Sequence, residues 1–151
     1  KSNVDMFMEK NKTLFDKRLR EGKIKWCHGD LHSGNIFITP EGKIYIFDAI
    51  EFNDRFACSD VANDIAFLSM DLDFRHRKFL SDYFIKKYIE KTGDSEIMQL
   101  LDFYKCYRAY VRGKVIGFKI NDPTVPEHEK KEARDTASIY FKLALAYSKN
   151  F

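Results

Sequence analysis

The chain has 151 residues, 44% apolar and 32% charged, with 26 basic and 23 acidic side chains giving a net charge of +3. That length supports a single domain rather than two ordinary ones, and 14 Phe, 8 Tyr and 1 Trp exclude a disordered chain. Balanced charge with a pI near 8.7 provides no one-sided basic surface for nucleic acid, and no apolar run approaches the ~18–20 residues of a membrane span.

Residues 3–21 are expected to form one helix, with Val4, Phe7, Met8, Leu14, Phe15 and Leu19 at roughly helical spacing and Gly22 as a stop. The rhythm then changes. Ile24 to Cys27 reads as a short strand, and Ile36 to Thr39 and Lys43 to Phe47 as two more. Pro40-Glu41-Gly42 between them has the form of a three-residue hairpin loop, with Gly at the left-handed position. Helical patterning returns over 60–71, 75–91, 95–119 and 127–148. The layout is a helix, a small β insert and four helices, an α+β class in which helix predominates. Phe103, Tyr104, Tyr107 and Tyr110 follow the spacing of a core face.

The segment that carries chemistry runs from His28 to Asn35 and continues through the hairpin to Asp48. A hairpin closed at Pro40-Glu41-Gly42 pairs Ile38 with Ile44 and Ile36 with Ile46. That register sets Asn35 beside Phe47 and Asp48 at the open end. Cross-strand neighbours lie ~4.5–5.5 Å apart, so an amide oxygen and a carboxylate can converge on one cation. Asp30, five residues before Asn35, lies in a loop that Gly29 and Gly34 allow to bend over the same spot. Oxygen donors of this kind suit Mg²⁺, which one or two protein oxygens hold together with waters and substrate phosphates. The same spacing serves kinase-type phosphoryl transfer, with an Asp base, an Asn five positions on and an Asp beyond the next hairpin.

His28-Gly29-Asp30 through Asn35, with Ile46-Phe47-Asp48 thirteen residues after the Asn, resembles the aminoglycoside phosphotransferase/choline kinase family. The resemblance implies the C-terminal lobe of a protein-kinase-like fold. Asp30 would be the catalytic base, Asn35 and Asp48 the ligands of Mg²⁺ and so of ATP, with a small hydroxyl-bearing molecule as acceptor. Ser59 to Ala66 is similar to the acidic helix that follows in that family, where Asp60 and Asp64 would support the catalytic loop. The wording Phe47 to Asp54 departs from the family's commoner form and resembles an uncharacterised bacterial branch. No Gly-rich phosphate loop and no strand-borne Lys precede the motif, so the N-terminal lobe is expected on a longer parent chain or else on a separate one. Residues 1–151 are then a one-domain fragment, inactive by itself. A non-catalytic scaffold derived from such a lobe remains the other reading.

His28 reads either as a catalytic group or as a residue holding the loop through its ring. Glu51, Asp54, Asp71 and Asp73 are acids that could draw a cationic substrate, or a solvated face. Arg108, Arg112 and Lys114 could anchor their helix against the acids of the loop region. Cys27, His28 and His32 lack zinc-finger spacing. The odd number of cysteines, Cys27, Cys58 and Cys106, favours buried thiols in a reducing compartment, hence a cytoplasmic protein. A lobe without its partner would expose apolar surface and could form a homodimer through it.

Overall fold

A computed structural model describes residues 2–151. The fold is α+β and predominantly helical, with two small antiparallel sheets, consistent with a kinase-like lobe. No described helix is long and apolar enough to cross a membrane.

The expected N-terminal helix is two helices, α1 (Asn3–Lys10) and α2 (Lys12–Arg20). The break falls at Asn11, whose side-chain amide donates to the Phe7 carbonyl at 2.9 Å. Asn competes in this way for backbone groups that a continuous helix would use. The bend lets Phe7 stack on Phe103 with ring centroids 4.9 Å apart. Strand β1 (Ile24–Trp26) follows, then β2 (Ile36–Ile38) and β3 (Ile44–Ile46). The β2–β3 register is the expected one, Ile36 against Ile46 and Ile38 against Ile44. Its side chains are largely exposed, Ile38 and Ile44 most of all.

Two elements have no counterpart in the sequence reading. A short helix α3 (Asp54–Ala57) leads into strand β4 (Cys58–Asp60), which pairs antiparallel with β1, Ile24 against Asp60 and Trp26 against Cys58. Cys58-Ser59-Asp60 carries no alternation of apolar and polar residues that would announce a strand. Cys58 is exposed rather than buried, while Cys27 and Cys106 are half-buried; all three are free thiols.

Helix α4 (Val61–Phe74) is the centre of the molecule. Phe67 and Met70 pack with Ala109 of α6 (Ile97–Gly117) and with Tyr140, Ala144 and Tyr147 of α7 (Glu127–Tyr147). Ala66 packs on another side with Ile85 of α5 (Lys78–Thr92) and Leu101. A helix apolar around most of its circumference belongs in the interior, and α4 has partners on several sides. A buried Ser69–Ser81 hydroxyl pair, 2.5 Å apart, joins it to α5. Helix α5 stops at Gly93, whose φ of 71° is the left-handed cap that glycine adopts without strain. Of the expected aromatic core face, Phe103 and Tyr104 pack inward, but Tyr107 and Tyr110 stay about half exposed, 48% and 54%.

Arg18 of α2 is fully buried. Its Nε and Nη2 donate to the Asp60 carboxylate at 2.7 and 2.8 Å, and Nη1 and Nη2 to Asp94 at 2.8 and 3.0 Å. Burial works against the guanidinium's charge; the two carboxylates more than reverse that and raise its pKa above the ordinary arginine value. One side chain thus ties α2 to the start of α4 and to the turn before α6. Removing one partner of a buried ion cluster leaves charge without compensation, at a cost of about 3–5 kcal/mol. Arg18→Ala is therefore expected to lower the unfolding free energy by that amount in a urea titration. A loss below about 1 kcal/mol, the level of a surface ion pair, would show that the cluster does not anchor α2.

Candidate functional site

The loop between β1 and β2 has little regular structure, so its buried amides need acceptors from elsewhere. Helix α4 supplies them. Asp64 accepts from the backbone N–H of His28 at 2.7 Å and of Gly29 at 3.0 Å. Two turns along, Asp71 accepts from the backbone N–H of Ser33 at 3.0 Å and from the Ser33 hydroxyl. Asp71 also pairs with Arg75 at 3.0 Å. Burial pushes the Asp71 carboxyl up, but the Ser33 and Arg75 donors outweigh it and hold its pKa below the usual aspartate value. From the other side, Arg108 of α6 donates to the Gly29 carbonyl at 2.9 Å and to the Asn63 side chain at 2.7 Å. Its Nη2 lies 3.7 Å from Asp64.

Gly29 sits at φ +81°, and a Cβ there would meet Ile50 at 3.0–3.2 Å. Both the backbone conformation and the space call for glycine.

Asp30 stands between the two carboxylate clamps. His32 Nε2 lies 3.4 Å from its Oδ2, and the Asn35 amide donates to Asp30 twice, to the backbone oxygen at 3.0 Å and to Oδ2 at 3.2 Å. The hydrogen bond from His32, above all, lowers the Asp30 pKa from its ordinary value; partial burial opposes this, and the positive charge of Arg112 adds to it. The His32 ring is held in turn, its Nδ1 accepting from the Gly34 N–H at 3.1 Å.

Asn35 is buried, at 7% exposure. With its NH₂ given to Asp30, its Oδ1 accepts no hydrogen bond among the described residues. Its backbone carbonyl accepts from the Phe47 N–H at 3.1 Å, and the Ile50 N–H donates to the His28 carbonyl at 2.8 Å. The segment holding Asp48 is therefore stitched to the loop on both sides. Asp48 is exposed and takes a left-handed φ of 64°, uncommon for a residue with a side chain and a mark of local constraint.

Both ring nitrogens of His28 are engaged with the backbone. Its Nε2–H donates to the Phe47 carbonyl at 2.9 Å, and its Nδ1 accepts from the Asp30 N–H at 3.3 Å. One tautomer satisfies both bonds, and the ring acts as a positioning group. Asp60 does not touch the loop either; it caps α4 by accepting from the Ala62 N–H at 2.9 Å and pairs with Arg18. Glu51 and Asp54 are exposed and lie outside the lining of the cavity beside Asp30. Asp71 and Asp73 are not free to draw a substrate, since Asp71 holds Ser33 and Asp73 accepts from Lys105 at 2.8 Å and Tyr147 at 2.6 Å. The sequence reading passed over Asp71 as a clamp and His32 as the partner of Asp30. The i,i+7 spacing of Asp64 and Asp71 on one helix was the available signal.

The donor set can be tested against a divalent cation. Among the described residues no group of three or more His, Cys, Asp or Glu is arranged to hold a metal. Asn35 Oδ1 and the Asp48 carboxylate are hard oxygen donors, while the neighbouring His28 and His32 rings are engaged with Phe47, Asp30 and Gly34. Such a pair fits Mg²⁺ completed by waters and phosphate oxygens, and does not fit a structural zinc.

A model of the APH phosphotransferase enzyme family matches residues 7–101, more than half of the chain. The chain belongs to this family. Among curated proteins it is 43% identical over 112 residues to uncharacterised proteins of Mycobacterium tuberculosis (Rv2004c, strain ATCC 25618 / H37Rv) and Mycobacterium bovis (Mb2027c, strain ATCC BAA-935 / AF2122/97). The match takes in 74% of this chain and 22% of each relative, so the chain spans about a fifth of their length. No solved structure gives a significant match. Family membership makes the lobe transferase-like.

The clamps make two predictions. Asp64→Asn replaces an acceptor of two amides with a group that presents an NH₂ towards one of them, and each buried donor left unpaired costs about 1–3 kcal/mol. Hydrogen exchange at His28 and Gly29 is expected to accelerate selectively; unchanged protection there would remove Asp64 from the role of clamp. For Asp71, a folded-state pKa below the unfolded value means stabilisation that is complete above ~3.9 and is lost as pH falls through the folded value. The stability gap between wild type and Asp71→Asn should narrow as pH drops below about 4. A gap that is constant or widens towards acid would contradict the assignment.

Proposed function

We propose that the full-length protein transfers the γ-phosphoryl group of ATP to a hydroxyl of a small molecule. The observation that carries this reading is the buried Asn35 amide, which bridges the backbone and side chain of Asp30 while keeping its own oxygen free next to the segment of Asp48. Asp30, its pKa lowered by His32, is ionised at neutral pH, as a base for a hydroxyl proton must be. It borders a cavity of about 530 Å³ between the loop, α3 and α6, a size that accommodates a small organic acceptor. A larger share of apolar lining distinguishes the cleft of about 440 Å³ near Phe103 and Phe141, which contains no acid or base of the loop.

In the reaction, Asp30 accepts the proton as the hydroxyl oxygen bonds to the γ-phosphorus and the bond from that phosphorus to the bridging oxygen of ADP breaks. Asn35 and Asp48 would hold Mg²⁺, which when bound neutralises charge on the phosphates. The rest is positioning by the chain itself: Asp64, Asp71 and Arg108 fix the loop, and His28 and His32 fix the direction of Asp30. Catalysis of this class rests on such placement and charge compensation. The nucleotide-covering part belongs, on this reading, to the portion of the parent protein outside these residues.

The test uses the full-length protein. ATP with Mg²⁺ is expected to raise its melting temperature, because a ligand that binds the native state stabilises it. Asp48→Asn should abolish that shift. Asp30→Asn should keep it and lower Mg²⁺-dependent ATP turnover, with water standing in for the acceptor, by roughly 10²–10⁴-fold. Near-normal turnover by Asp30→Asn, or no thermal response of the wild type to ATP and Mg²⁺, would overturn the reading, and the latter would favour a scaffold.

A further inference from the structure

The cavity beside Asp30 has a charge opposite to the one a cationic acceptor would need. Its charged lining residues are Asp30, Arg55, Arg108 and Arg112, three positive against one negative. Arg108 is spent inside the fold, on the Gly29 carbonyl, Asn63 and Asp64. Arg55 and Arg112 form no ion pair with a described carboxylate. Arg112 lies near enough to Asp30 to lower its pKa and reaches the Tyr140 hydroxyl. The remaining wall is mainly apolar, with Phe56, Phe67 and Val111 among its members.

A cation placed here would meet two guanidinium groups with nothing to offset them except the carboxylate needed as the base. An anion would meet the planar forks that bind carboxylates bidentately, and an apolar body would find the Phe and Val side chains. We propose that the acceptor is a hydroxyl-bearing carboxylate with an aromatic or branched apolar body. Its carboxylate is held by Arg112 and Arg55, and its hydroxyl faces Asp30. The fate of that hydroxyl rests on the phosphotransfer reading; the binding of the anion does not.

Three compounds with one phenyl body and one aliphatic hydroxyl separate the possibilities: 3-phenyllactate (anion), 3-phenyl-1,2-propanediol (neutral) and phenylalaninol (cation). Binding to the full-length protein is read by thermal shift and calorimetry without nucleotide, and phosphorylation by transfer of labelled phosphate from ATP. The anion is expected to bind at least about tenfold more tightly than the cation. Arg112→Gln and Arg55→Gln should each erase most of that preference, and Arg55, on an exposed short helix, can be replaced without disturbing the core. Equal or tighter binding of phenylalaninol, or binding of none of the three at millimolar concentration, would overturn the proposal. So would an equal loss of phosphorylation of all three acceptors in the arginine variants with the preference intact, because the arginines would then serve the transferred phosphoryl group. Tight binding of phenyllactate without any phosphorylation would uphold the anion site and count against the phosphotransfer reading alone.

Discussion

The loop that carries Asp30 depends on an exchange of needs between backbone and buried acid. Its amides at His28, Gly29 and Ser33 lack partners in any strand or helix, and Asp64 and Asp71 are carboxylates inside a helical core. Each would be costly alone, since buried polar groups must be hydrogen-bonded and buried charges compensated. Together they satisfy one another. Seven residues of α-helix span about 10 Å, so the acids on α4 hold two points of the loop at a set separation. Asp30 lies between those points.

That arrangement is only as firm as α4 itself, which explains why so much of the chain converges on this helix. Arg18 and Asp94 secure its first turn through Asp60, the Ser69–Ser81 pair joins it to α5, and α6 and α7 cover its apolar sides. Arg108 then closes the assembly by spanning the helix and the loop, with hydrogen bonds to Asn63 and Gly29. Burial pulls its pKa down and nearby Asp64 acts against that. Precise siting of a reactive group requires neighbours that are themselves locked in place. Here the locking extends from α2 to α6.

The electrostatics divide across Asp30. On the hairpin side stand oxygen donors, Asn35 Oδ1 and Asp48, suited to a divalent cation. On the α6 side stand Arg55 and Arg112, suited to an anion. The Asp30 carboxylate between these fields stays ionised because His32 hydrogen-bonds to it and Arg112 lies nearby. The acids that composition alone would assign to substrate attraction are either occupied in the fold, as Asp71 and Asp73 are, or outside the cavity, as Glu51 and Asp54 are.

Local pattern determined a good deal. The helical periods of α4 to α7, the hairpin closed at Pro40-Glu41-Gly42 and its register all follow from spacing and turn chemistry, which act between near neighbours. The fixed interval from Asp30 to Asn35 and the hairpin's length made the meeting of loop and Asp48 segment legible too. Tertiary structure alone decided the rest. The break at Asn11 accompanies the stacking of Phe7 on Phe103, a residue far along the chain. Strand β4 exists only against β1. Arg18, charged and in the basic run Lys17-Arg18-Leu19-Arg20, reads as a surface residue until Asp60 and Asp94 arrive from 42 and 76 positions away. Asp71 likewise reads as one more surface acid, and the sign of the cavity follows from Arg55 and Arg112 being gathered from separate helices. Periodicity records which face of an element is buried, whereas a charge becomes a clamp or a binding group through partners that no nearby residue announces.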